Sequence, residues 1–163
     1  MNLHELFVEK LQEVAGAEKL LVAGLPALIN ASSDAELQAA LAEHLKQTET
    51  QVTRIADVHA SLRLKPKSRT CKPMAALVAD GAKAALAKPA GEIRDLAMLG
   101  AAQRVEYFEI AVYLSTISLA KTLGYGDATN LLVENLLEEQ KAADHLKKIS
   151  KSLLERAQDE AFK

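Results

Sequence analysis

The chain has 163 residues, the length of one domain with a substantial core, and is 49% hydrophobic but only 4% aromatic, with seven Gly and four Pro, a composition that favours helices over strands. Lys and Arg (20) nearly balance Asp and Glu (22), so the net charge of −2 offers no basic field for nucleic acid, and the single Cys71 excludes an intrachain disulfide or a thiolate cluster. No charged leader opens into an apolar run, and no stretch approaches the roughly 20 apolar residues of a membrane span, so the expectation is a soluble, cytoplasmic protein.

From Leu3 to about Asn30, Phe7, Leu11, Val14, Leu21, Leu25 and Leu28 recur with the period of one helical face. Ala31-Ser-Ser-Asp34 reads as a turn, in which Ser33 or Asp34 can cap a second, antiparallel helix carrying Leu37, Leu41, Leu45, Val52, Ile55 and Leu62. The basic segment Arg63 to Arg69 breaks at Pro66. A shorter helix is then expected from about Lys72 to Ala87, ended by Lys88-Pro-Ala-Gly91. Glu92 to Leu123 keeps Leu96, Leu99, Val105, Ile110, Leu114 and Ile117 in helical register. Gly124-Tyr-Gly-Asp127 closes that helix, and Asp127 caps a last one in which Leu132, Leu136, Leu146, Ile149 and Leu153 recur to about residue 156.

Two helical hairpins joined by a long connection with its own short helix describe an all-α, ferritin-like four-helix bundle with one crossover; an irregular five-helix bundle is the alternative. The expected organisation is a single domain over residues 1–157 with a frayed tail over 158–163.

Carboxylates interrupt the apolar stripes. Stepping by three or four from Leu11 gives Val14, Glu18, Leu21 and Leu25, and the same walk from Leu132 gives Leu136, Glu139, Ala143 and Leu146. On the helix between them, Leu99, Gln103, Glu106, Ile110 and Ile117 put Glu106 inside, with Glu109 on the adjacent edge. A buried ionised carboxylate is costly unless a cation or donor meets it. Glu side chains converging from facing helices supply what a pair of iron or manganese ions requires: hard oxygen donors, bridging groups and negative charge. The usual second-ligand histidine is missing, since Glu49 plus three is Val52 and Glu139 plus three is Ala142. His44 and His145 stand five and six residues from Glu49 and Glu139 (49 − 44 and 145 − 139), offsets that turn them away from a shared ligand pair; His44 is kept as an additional candidate.

At "AEKLL" (Ala17 to Leu21), "EHLKQTETQVTRI" (Glu43 to Ile55), "AAQRVEYFEIAVY" (Ala101 to Tyr113) and "LLEEQKAAD" (Leu136 to Asp144), with "TCKPM" in the crossover, the chain resembles the bacterial YciF-like family of ferritin-like proteins. The resemblance runs from Leu3 to about Leu154. It implies a dimeric, stress-linked bundle, similar to rubrerythrin and bacterioferritin domains, with a candidate di-iron centre. In rubrerythrin-type sites the third helix carries Glu-x-x-Glu, which Glu106 and Glu109 match, and a further Glu follows 33 residues after the first of these, as Glu139 does here (139 − 106 = 33). Glu18 matches the first-helix ligand. The second-helix ligand is Glu49, or Gln51, since 51 − 18 is again 33. The expected metal set is therefore Glu18, Glu49, Glu106, Glu109 and Glu139 with His44, holding two iron or manganese ions that can oxidise Fe(II) with dioxygen or peroxide. The rival expectation is a structural or interaction dimer whose site has degenerated, and no catalytic residue is assigned.

The remaining polar residues receive structural readings. Tyr107 and Tyr113 pack with their hydroxyls at the bundle edge, Arg54 pairs with Asp144, Cys71 is a buried, inert thiol, and His4 and His59 are solvated near helix ends.

Overall fold

The computed structural model describes residues 1–160. It contains five helices: α1 (Leu3–Ala31), α2 (Ala35–Ser61), α3 (Lys72–Ala85), α4 (Glu92–Thr122) and α5 (Gly126–Glu160). The last helix thus continues past residue 156, and the remainder of the expected tail, residues 161–163, lies outside the described residues.

Local chemistry sets the helix ends. Asn2 caps α1 in a reciprocal box with Glu5, and the Asp34 side chain accepts from the Leu37 N–H at 2.8 Å to start α2. Gly124, at φ 73°, supplies the left-handed residue that stops α4. Asp127 is not a cap. α5 begins one residue earlier, so its carboxylate lies inside the first turn, where it complements the helix dipole.

α1 packs on α2, α2 on α5, α5 on α4 and α4 on α1, which closes the four-helix ring; α3 lies over the α1–α4 seam. His4 meets Tyr125 at one end, while Asp34, Glu92 and Arg156 meet at the other. Each long helix therefore runs antiparallel to both of its ring neighbours. That arrangement needs one connection spanning the bundle between α2 and α4, and residues 62–91 with α3 supply it. The crossover presses against α1: Arg69 N–H donates to the Gln12 carbonyl at 2.8 Å, and a Cβ at Gly16 would collide with the carbonyl oxygen of Arg69. Only glycine admits that approach.

One window of α1 reaches a mean hydropathy of 1.3 and passes the length and composition of a membrane span, contrary to the expectation from the sequence. In the bundle its apolar face, including Phe7, Leu11, Leu21 and Leu25, is buried against the other helices. The apolar interior comes in two pieces. One contains Leu21, Leu28, Leu41, Met98, Leu99, Ile149 and Leu153, and the other Phe7, Leu11, Ile55, Ile117, Leu132 and Leu136. Near the junction of the two pieces every long helix carries buried polar residues: Glu18; His44, Thr48 and Gln51; Glu106 and Glu109; Glu139. A polar layer thus crosses the middle of the bundle.

Candidate metal centre

Glu18 and Glu139 are 0% exposed, and Glu106 and Glu109 are each 2% exposed. Each sits where the expected helical face put it. His44, Glu106, Glu109 and Glu139 each present a ligand atom within 4.8 Å of the others, a spacing that lets one ion meet all four. Glu18 faces the same interior, and its charge is felt at both Glu106 and Glu109.

Two expectations for α2 need correction. Glu49 is exposed, while Gln51 is fully buried and donates its amide to Glu139, and to Glu138 at 3.1 Å. His44 does not turn away: it is buried, with Nε2 3.3 Å from Glu106 Oε1. Both follow from one helical register. The inward positions of α2 are Leu37, Leu41, His44, Thr48, Gln51, Ile55 and Val58, spaced by three and four, and Glu49 lies about 100° round the helix from Thr48. His44 is two turns from Gln51 on the same face.

Burial pushes the carboxyls of Glu18, Glu106 and Glu109 well above the usual carboxylate range, and neighbouring carboxylates push further; only the Tyr113 hydrogen bond works against this at Glu18. Burial lowers His44, with Glu139 and Glu138 opposing in part. The 3.3 Å approach of His44 to Glu106 is short enough for an ion pair, but the desolvated imidazole is neutral at neutral pH and the geometry makes no hydrogen bond, so it is a polar contact only. Among the described residues, Glu18 Oε2, Glu106 Oε2, both oxygens of Glu109, Glu139 Oε2 and both His44 nitrogens are buried without a hydrogen-bond partner. That set of hard oxygens and a neutral imidazole fits a divalent cation.

The surrounding network was not legible from spacing. Tyr113 is 1% exposed, and its hydroxyl donates to Glu18 and accepts from Asn135 Nδ2 at 2.9 Å, so it is not at the bundle edge. Arg54 pairs not with Asp144 but with Glu138, at 2.7 and 2.8 Å, and donates to Asn135 Oδ1 at 3.0 Å. Arg54, Asn135 and Tyr113 thereby form a chain from the surface to Glu18. Asn135 carried one available signal: it falls three residues after Leu132, on the inward stripe. Glu138 carried none, since it lies beside that stripe. His59 is buried, with Nδ1 2.8 Å from the Ile55 carbonyl, rather than solvated. Tyr107 and His145 are exposed, and Cys71 is buried, with its thiol pushed up by desolvation.

Residues 2–159 match the sequence profile of a domain of unknown function, DUF892. The chain is 37% identical over 144 residues to protein YciF of Escherichia coli K12, covering 88% of this chain and 86% of that one. The crystal structure of the E. coli stress protein YciF superposes with a TM-score of 0.91 at 34% identity, over 94% of this chain and 98% of that one. YcfI from Rhodopseudomonas palustris follows at 0.87 and 29% identity, covering 90% and 94%, and a Xanthomonas campestris protein at 0.73 and 19% shares the fold. The chain belongs to the DUF892 family and is YciF-like over nearly its whole length.

Proposed function

We propose that this YciF-like chain is a cytoplasmic, stress-associated, ferritin-like protein that holds a di-iron, or di-manganese, carboxylate centre in the polar layer of its bundle. The observation that carries the reading is the set of partnerless buried oxygens on Glu18, Glu106, Glu109 and Glu139. Desolvating an ionised carboxylate costs several kcal/mol, and four of them ionised would balance two divalent cations. Glu18, Glu106, Glu109, Glu139 and His44 would hold the metal, and such a centre would supply redox chemistry toward dioxygen or peroxide, one electron from each ion. The protein's own residues exclude bulk water and fix the carboxylates. Tyr113 orients Glu18, and Gln51 orients Glu139 while contributing no charge.

Gln51 and Ala142, standing where a carboxylate and a histidine would complete the set, favour the second reading, a bundle whose interior serves structure alone. We further propose a homodimer; the exposed Tyr107 (58%) and Leu114 (48%) leave apolar surface on one face of α4 for a second copy. Elemental analysis after anaerobic Fe(II) loading separates the readings. The metal reading expects two ions per chain and a large loss in Glu106→Ala; equal, substoichiometric iron in both proteins supports the structural one.

A further inference from the structure

Between α2 and α5 a groove of about 440 Å³ opens to solvent and ends on His44 and Glu106. Its rim carries Glu36, Glu43, Lys141 and His145, and its walls are Ala39 and Ala142. We propose that this groove is the route by which small hydrated solutes, the divalent cation among them, reach the buried cluster, and that Ala142 keeps it open. The proposal deepens the metal reading and rests on it for the cation.

Three observations converge. The space is ample: water occupies about 30 Å³ per molecule in the liquid, so a groove of about 440 Å³ holds several water molecules. The floor leads to a cation ligand, because His44 lines the groove at 6% exposure and its two ring nitrogens, buried just beneath, have no hydrogen-bond partner. The opening also has a cause in the sequence. Ala142 stands three residues after Glu139, on the face where a Glu-x-x-His pair would project an imidazole into this space. Alanine leaves the volume empty, and His44 approaches Glu106 from the opposite wall instead. At the rim, Glu36 and Glu43 are more than half exposed, and His145 Nε2 lies 3.9 Å from Glu36 Oε1, so oxygen and imidazole donors meet a cation before it sheds water to the buried set.

The test plugs the groove. Metal-free wild type, Ala142→Phe and, on the facing wall, Ala39→Phe are mixed with Co(II), and uptake is followed by its visible absorption. In parallel, exchange of the imidazole Cε1 hydrogen of His44 in D2O is followed by mass spectrometry without metal. Either folded variant is expected to slow Co(II) uptake at least ten-fold at unchanged final stoichiometry, and to slow His44 exchange several-fold while leaving His59 unchanged. Wild-type rates in both assays, in folded variants, overturn the route. If wild type takes up no Co(II) while Ala142→Phe still slows His44 exchange, the route for small solutes is upheld and the metal reading falls.

Discussion

In the metal-free protein, stability should fall as pH rises above the ordinary carboxylate range, opposite to the common behaviour of proteins with stabilised carboxylates. Glu18, Glu106 and Glu109 have folded-state pKa values raised above their unfolded ones, so the folded chain holds protons that the unfolded chain has released. The stability they contribute is fully present below the unfolded carboxylate pKa and is lost progressively as pH rises toward the folded values. Each extra proton held by the folded state contributes a slope of about −1.4 kcal/mol per pH unit. While one such proton is retained, each pH unit removes about 1.4 kcal/mol, and the cluster has three such groups. His44 has the opposite sign, because its folded pKa is lowered and the unfolded chain binds the proton first. Its contribution rises with pH only up to about 6.5, so it offsets part of the carboxyl-driven fall below that pH and none above it. Tyr113 and Cys71 are raised from ordinary values of 10.0 and 9.0, so their effects fall at higher pH. Urea unfolding of chelator-treated protein at pH values rising from the carboxylate range measures the slope. Saturating Fe(II) or Mn(II) should abolish or reverse it, because the cation displaces the protons and stabilises the folded state. A flat or rising metal-free profile would refute the assignment of these carboxyls as buried and protonated.

Gln51→Glu adds a carboxylate beside Glu139 and removes an amide donor. It should tighten metal binding, read by competition with a chromogenic chelator, and lower metal-free stability by about 1–3 kcal/mol. Tyr113→Phe strips Glu18 of its donor and Asn135 Nδ2 of its acceptor, so chemical denaturation should show a loss of about 1–3 kcal/mol. Far from the site, Asp95→Ala should cost about 2–3 kcal/mol in the same assay, since this buried carboxylate accepts from the Ser33 and Asp34 N–H groups and fastens the α1–α2 turn to α4. It should leave metal stoichiometry unchanged.

The helices and their order were legible because apolar residues at three- and four-residue spacing dominate α1 and α5, where Phe7, Leu11, Leu25, Leu132 and Leu153 are all buried. The same stripes exposed Glu18 and Glu139 as intrusions. Periodicity failed where the site itself is polar. On α2 the core face passes through His44, Thr48 and Gln51, so the apolar residues that remain, such as Leu45 and Val52, sit at its half-buried edges and shift the apparent stripe. Glu49, one of the two second-helix ligands that the resemblance implied, stands between these two residues and is exposed. α4 shows the converse: Leu114 fits an apolar register but is 48% exposed, and the true inward line passes through Ala102, Glu106, Glu109 and Tyr113. The bonds from Tyr113 and Arg54 depend on how helices face one another, which spacing along one chain does not encode.

The central claim is most directly tested by anomalous diffraction at the iron and manganese edges from crystals grown with each metal. Two peaks in the polar layer, bounded by Glu18, His44, Glu106, Glu109 and Glu139, are the predicted result. A metal-free layer at saturating metal, with those carboxyls hydrogen-bonded to one another or to water, would contradict it.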